Sequence, residues 1–181
     1  MERVRNTTIL ALHSPEERRA VLASDGQATF ETTIIKQNTR KVYRLHDDRV
    51  IVGFAGATAD CLALLDKFEG KLKKYDGKLR RSAVELTKEW RTDRILRHLE
   101  AVMLTVSEEG LLMISGVGDV LEPDGGVMGI GSGGPYALAA ATAFLSTRSM
   151  PMDEIARRSL EIAAQIDIYT NDRIVVETLS W

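Results

Sequence analysis

The chain has little of what secreted, membrane-bound or metal-dependent proteins use. A single cysteine, Cys61, stands among 181 residues, so no intramolecular disulfide is possible and a reducing compartment is expected. No apolar run approaches the roughly 18–20 residues of a membrane-spanning helix. The first six residues, MERVRN, are too short and too polar for a secretory signal. Net charge is only −2, so no bulk electrostatic pull toward nucleic acid or a membrane surface exists. These absences point to the cytoplasm. His13, His46 and His98 are far apart, with no HExxH and no CxxC, which leaves metal-dependent hydrolysis without ligands. No serine lies in a GxSxG elbow.

What is present is an ordinary globular composition, 44% hydrophobic and 28% charged. One domain with a substantial core is expected at this length. Residues 8–12 and 20–23 read as short strands joined by the polar turn HSPEERR. Residues 32–35 and 42–45 are β-branched pieces around a basic loop. Residues 50–54 form a nearly continuous apolar strand. Two helices follow. Cys61, Leu65, Phe68, Leu72 and Tyr75 make one apolar stripe, and Leu79, Ala83, Leu86 and Trp90 begin another that runs on to about Leu99. Strands are expected again at 102–106, 111–115, 119–121 and 127–130, with Gly or Pro-Asp-Gly turns between them. Helices at about 136–146 and 152–168 and a strand at 174–178 complete the chain. Strands, two helices, strands, two helices and a strand suggest antiparallel sheets covered by paired helices.

Two features bear on chemistry. Gly129, Gly131 and Gly134 match GxGxxG between a strand and a helix, a pattern that binds pyrophosphate in dinucleotide folds. Its place deep in the chain disfavours that use, as does the position of Asp153 and Glu154 at a helix start. The same loop, with Ser132, suits a site where negative charge develops. The other feature is Thr7-Thr8, opening the first strand. Threonine is a weak nucleophile unless a base takes its proton, and a threonine at a free N-terminus has its own α-amine for that. Removal of residues 1–6 would expose Thr7. An α-amine titrates near pH 7.7–8.0, and a nearby cation such as Lys41 would favour its neutral form. Asp25 would hold that lysine. Read singly, Asp25 is a turn residue and Lys41 a surface lysine of the loop at 36–44.

TTI at 7–9, SDGQAT at 24–29, RKVYRL at 40–45, VGFAGATAD at 52–60, AVELTKEWRTDR at 83–94, ISGVGDV at 114–120, IGSGGPYALAAA at 130–141 and IYTND at 168–172 together resemble the HslV family, also called ClpQ. These are peptidase subunits of a two-component, ATP-dependent bacterial protease related to proteasome β subunits. The resemblance spans nearly all of the chain after residue 6. It implies an α+β fold, a four-layer αββα sandwich of two antiparallel sheets between helix layers, as in N-terminal-nucleophile hydrolases. Residues 1–6 would be a propeptide and 7–181 one peptidase domain. Thr7 would be the nucleophile, with Asp25 and Lys41 as charged supports, the Gly53 N–H as main oxyanion donor and Ser132 beside the amine. Two stacked hexameric rings, a hexameric HslU-type ATPase partner that activates the peptidase, and unfolded protein substrates are also implied. No organic cofactor is implied. A sodium ion is, held by the main-chain carbonyls of Ala164, Asp167 and Thr170.

The chain departs from the family in places. The first hairpin is longer than usual, Ser24 fills a glycine position, and Glu31 stands near another. Ala164 and Asp167 replace a common Gly and Cys. A side chain at a former glycine bears on backbone angles. Proteasome β subunits carry Asp at the place of Asp167 with a hydroxyl residue three positions on, here Thr170. That resemblance implies that Asp167 orients the Thr7 amine or Ser132. Read simply, it is a helix-end aspartate bonded to nearby backbone. Two other functions remain open: a ring subunit that assembles without cleaving, and an amidohydrolase of small amides using the same N-terminal chemistry.

Overall fold

A computed structural model describes residues 7–56, 58–94, 96–99, 101–147 and 150–181. Residues 1–6, expected to form a propeptide, lie outside the described residues. Strands β1 (Thr8–Ser14), β2 (Arg19–Ser24), β10 (Val127–Gly131) and β11 (Val175–Ser180) form one antiparallel sheet in the order β10-β1-β2-β11. Strands β5 (Val42–Leu45), β6 (Val50–Gly56), β7 (Ala101–Ser107), β8 (Gly110–Ser115) and β9 (Val120–Leu121) form a second, in sequence order. A separate hairpin joins β3 (Ala28–Phe30) to β4 (Thr33–Lys36).

Side-chain alternation turns these sheets into layers. On β1, Ile9 and Ala11 enter one core cluster while Leu10 and Leu12 enter another. On β2, Ala20 and Leu22 follow the first pair, and Val21 and Ala23 the second. On the second sheet Ile51, Leu104 and Val106 face the first, whereas Val50, Val52, Phe54 and Met103 face outward. Period-two strands with both faces apolar must be covered on both sides. Helices α1 (Thr58–Lys74) and α2 (Leu79–Thr92) cover the second sheet with Leu64, Phe68, Leu72, Leu86 and Trp90. Helices α3 (Gly134–Thr147) and α4 (Met152–Ala164) cover the first with Ala137, Ala141, Ile155, Ala156 and Leu160. The result is the four-layer αββα sandwich. Each fully buried Leu or Phe contributes about 1.5–3 kcal/mol, so three clusters of this size dominate stability.

Two helices stop earlier than the apolar period suggests. Helix α2 ends at Thr92, because the Asp93 carboxylate accepts the Leu96 N–H and starts a short 3₁₀ turn, Leu96–His98. Helix α4 ends at Ala164. Ile166 and Ile168 continue the period in sequence, yet they are exposed. The chain there turns to carry Asp167 and Thr170 inward, both buried. Leu64 is buried in α1 while Leu65 is only partly so, which shifts that stripe by one residue.

Candidate active site

The site forms where the start of β1 meets three loops. The Thr7 carbonyl accepts the Ser132 N–H at 3.1 Å, which ties it to the loop after β10. Thr7 is buried and Thr8 fully so. The turn after β2 brings in Asp25, which is completely buried. Asp25 N–H donates to the Thr8 carbonyl at 3.2 Å, and its Oδ1 accepts the Thr8 N–H at 2.9 Å. The same oxygen accepts Lys41 Nζ at 2.6 Å, and Oδ2 accepts the Gln27 N–H at 2.8 Å. Several donors converge on one buried carboxylate, the arrangement that compensates burial of its charge. Lys41, just ahead of β5, is 7% exposed. Burial pulls its ammonium below the ordinary lysine range, while the Asp25 carboxylate, through charge and hydrogen bond, and the charge of Asp167 pull it back up.

A second polar network adjoins the first. Asp167 Oδ2 accepts the Ser132 hydroxyl at 2.7 Å and the Thr170 hydroxyl at short range. Thr170 Oγ1 lies 2.6 Å from Thr8 Oγ1, and Thr8 Oγ1 accepts the Gly133 N–H at 3.0 Å. A carboxylate only accepts, so the single hydroxyl hydrogen of Thr170 goes to Asp167. Thr8 must then donate to Thr170. The chain of bonds therefore runs in one direction, from Gly133 through Thr8 and Thr170 to Asp167. Asp167 Oδ1 also accepts the Tyr169 N–H at 3.2 Å. It is thus a helix-end turn residue and a partner of Ser132 at once. Thr170 is marked by its place three residues after Asp167, whereas Thr8 has no local signal for this role; only the fold brings it to Thr170.

Gly53 is placed differently from the sequence expectation. It lies mid-strand in β6, in register with Val42 and Leu104. The Phe54 N–H goes to the Lys41 carbonyl at 3.3 Å. Successive amides of a strand point to opposite neighbours, so the Gly53 N–H points into the ladder toward β7, away from a substrate. A Cβ at Gly53 would meet Ile9 and Leu22 side chains at 2.9 and 2.8 Å. Glycine is needed here for close approach of the two sheets.

Cys61 is buried in the α1 stripe, and burial pushes its thiol up to about 12, which removes it as a nucleophile. Among the described residues no group of three or more His, Cys, Asp or Glu side chains is placed to hold a metal ion. Main-chain sites are a separate matter. Ala164 closes α4, with no positive φ, so its side chain imposes no backbone strain. Its carbonyl belongs to the last helical turn, where acceptors lack helical partners. The Asp167 carbonyl accepts the Thr170 N–H at 3.1 Å, and a carbonyl has a second lone pair. The three carbonyls are chemically suited to a hard cation.

The family description "Proteasome subunit" matches residues 4–179. The chain belongs to the proteasome subunit family. An ATP-dependent protease subunit HslV from Chlorobium luteolum is 51% identical over 174 residues, covering 96% of this chain and 94% of that protein. The crystal structure of a eukaryotic HslV from Trypanosoma brucei superposes with a TM-score of 0.91 at 41% identity, covering 97% of this chain and all of that one. Thiobacillus denitrificans BPH, solved in complex with epoxomicin, has the same fold, with a TM-score of 0.77 at 20% identity over 96% of this chain and 98% of its own. Within the proteasome family the chain is thus similar to HslV in sequence and in structure.

Proposed function

We propose that this chain is the threonine peptidase subunit of an ATP-dependent protease of the HslV type. The observation that carries the reading is the double grip of Asp25 Oδ1, which holds Lys41 Nζ and the Thr8 N–H together. A buried ion pair is thereby fixed beside the residue that follows Thr7. In the full chain Thr7 N is a peptide nitrogen, so the amine exists only after residues 1–6 are removed. The freed amine takes the proton of Thr7 Oγ1 as Oγ1 attacks a substrate carbonyl. The Oγ1–C bond forms, and the carbonyl oxygen becomes an oxyanion. The ammonium then protonates the leaving nitrogen as the C–N bond breaks, leaving an ester. Water, deprotonated by the same amine, hydrolyses that ester and restores Thr7. Lys41 disfavours a protonated amine and stabilises negative charge on Oγ1. Asp167, through Ser132, orients the amine.

Gly56 is the better oxyanion donor. Its N–H points to the β5 side, like that of Phe54 two residues earlier. Continuing the Val42↔Gly53 register sets Gly56 opposite Thr39, but the Thr39 N–H turns away to the Gly26 carbonyl at 2.8 Å. Strand β5 begins only at Val42, so the ladder that would supply an acceptor for the Gly56 amide does not extend to Thr39. Aligned donors of this kind typically contribute about 2.7–4 kcal/mol.

Assembly into two stacked hexameric rings, activation by a hexameric HslU-type ATPase, and unfolded proteins as substrates fit the same reading. They rest on the likeness to HslV, a subunit of an ATP-dependent protease. The carbonyls of Ala164, Asp167 and Thr170 would hold sodium as a structural ion that keeps their loop in place.

The test compares wild type with Thr7→Ala, by intact mass and by cleavage of a fluorogenic peptide with and without the ATPase. The wild type should lose residues 1–6 and cleave, faster with the ATPase. The variant should keep them and show no cleavage. A processed, ring-forming wild type without peptidase activity would mean a non-catalytic subunit. Cleavage of small amides by a monomer or dimer would mean an amidohydrolase. Repeating the assay after exchanging sodium for potassium should lower activity if the ion orders the loop; equal rates would remove it from the scheme.

A further inference from the structure

Asn171 lies in the turn after Thr170 and is half-buried. Its Oδ1 accepts the Arg173 N–H at 3.1 Å, the ordinary bond of an Asx turn. Two further bonds go beyond what a turn needs. The same Oδ1 accepts the Gly26 N–H at 3.0 Å, and Nδ2 donates to the Gln37 carbonyl at 3.0 Å. Both partners are backbone groups remote in sequence. Gly26 follows Asp25 directly, and Gln37 lies on the loop that leads to Lys41. The Gly26 carbonyl in turn accepts the Thr39 N–H at 2.8 Å. One carboxamide thus joins the segment of Asp25, the segment of Lys41 and the segment of Asp167 and Thr170.

Packing at this junction leaves no slack. A Cβ at Gly26 would lie 2.5 Å from the Gln37 carbonyl oxygen and 3.2 Å from the Arg173 carbonyl oxygen. The Asp25–Lys41 pair, at 2.6 Å, spans two of the joined segments. Its separation therefore depends on how closely Gly26 and Gln37 are held, and Asn171 holds them together with the direct Thr39–Gly26 bond. The Asn171 N–H also faces Asp25 Oδ2, at 3.5 Å.

We infer that Asn171 is a positioning residue for the peptidase reaction, fixing the distance between Asp25 and Lys41 by clamping the Gly26 amide and the Gln37 carbonyl. The inference rests on the function proposed above. Asn171 touches no reacting atom in this scheme; it acts through the ion pair. Misplacement of a catalytic group by about 1 Å can cost 10²-fold in rate, so loss of the clamp should appear in kcat. Asn171 is given no contact with substrate in this scheme, so KM should hold.

The test uses the processed, assembled protein and a fluorogenic peptide. Asn171→Ala should lower kcat at least tenfold, with KM within twofold of wild type. Glu177→Ala serves as the control. It removes the Arg44–Glu177 pair at 2.8 Å, which links β5 to β11, so it loosens the same sheets without touching residues 25–27. Its kcat should stay within twofold of wild type even where its melting temperature falls as far as that of Asn171→Ala. If Asn171→Ala fails to assemble, Asn171→Ser replaces it. A serine hydroxyl retains the local turn acceptor but is too short to reach Gln37, and kcat should fall at least threefold. An active wild type with unchanged kcat in the assembled variant overturns the clamp alone, as does an equal loss in the control. An inactive wild type overturns the function and the clamp with it.

Discussion

At the Thr7 end of β1, buried polar groups are tied to partners in two linked networks. About 20 Å along the same strand, at roughly 3.3 Å per residue, the Ser14 end is built differently. A cleft of about 760 Å³ opens there, lined by His13, Arg80, Glu109, Glu122, Leu145 and Met152 among others. Arg80 and Glu122 meet across it at 2.6 Å, but both are exposed, and such pairs contribute little. His13 stacks on Trp181 with ring centroids 5.4 Å apart, and its buried Nε2 has no hydrogen-bond partner among the described residues. The cleft offers room, and the Thr7 end has the chemistry. Open volume therefore does not mark the site in this molecule. What marks it is the number of donors converging on the buried carboxylates of Asp25 and Asp167, because a buried charge is costly unless it is compensated in this way.

Breaking the charged pair tests this contrast most severely. Asp25→Ala leaves the Lys41 ammonium, 7% exposed, without its carboxylate. Removing one partner of a buried pair costs about 3–5 kcal/mol. Misplacing Lys41 by about 1 Å can lower turnover roughly 10²-fold. Chemical denaturation and peptide turnover of the variant read both effects. Arg80→Ala, at the other end of β1, should change stability by less than about 1 kcal/mol and leave turnover unchanged. Equal stability losses in the two variants would erase the distinction between the ends.

A smaller change sharpens the same comparison. In Asp167→Asn the carboxamide has one acceptor oxygen where the carboxylate has two. If that oxygen keeps Ser132 and Thr170, the NH₂ faces the Tyr169 N–H, donor against donor. The flipped amide satisfies Tyr169 and turns its donors on the hydroxyls. In the first orientation one bond is lost, at about 1–3 kcal/mol; in the second the contacts persist with their direction reversed, because a hydroxyl accepts as well as donates. Either way the charge that aligns the chain from Thr8 through Thr170 is gone, and we expect turnover to fall by about tenfold, the factor that 1.4 kcal/mol of lost positioning gives. Unchanged turnover, with only a stability loss, would leave Asp167 as a turn residue.

How far the sequence reveals the site depends on the range of each interaction. Thr7, Asp25 and Lys41 stand out because their residue types suit one mechanism and each lies at the edge of a readable strand. The sheets are legible from period-two apolarity, which also divides β1 and β2 between two cores. Gly53 shows the limit of that pattern. Side-chain faces follow from periodicity, but the side to which an amide points depends on the neighbouring strand, here through the Phe54 N–H and Lys41 carbonyl. The ends of α2 and α4 are misjudged because apolar spacing continues through Leu99 and Ile168 after the backbone has turned. Thr8 and Asn171 are ordinary polar residues until folding brings partners from distant segments. Strand β3 is likewise unforeseen, although its partner β4 is legible at 32–35: only Thr29 of the three β3 residues is buried, so little apolar pattern announces it.

The weakest test concerns His13 and acid. Burial lowers the His13 pKa below its ordinary 6.5, while backbone carbonyls of Glu108 and Ser107 and the charge of Glu122 oppose the shift and Arg80 adds to it. In the unfolded chain the imidazole returns to that ordinary value. Between the two values the unfolded state binds more protons, so stability rises with pH across that window. The contribution is fully present above pH 6.5 and is lost as pH falls through the lower, folded value. His13→Gln removes the titration but retains a polar group in the cleft. Denaturation midpoints between pH 7 and 5 should therefore fall more steeply for wild type than for the variant, by at most one proton's slope. Parallel curves would mean that the stacked ring takes up its proton without cost, and that this end of β1 is as well solvated as its open cleft suggests.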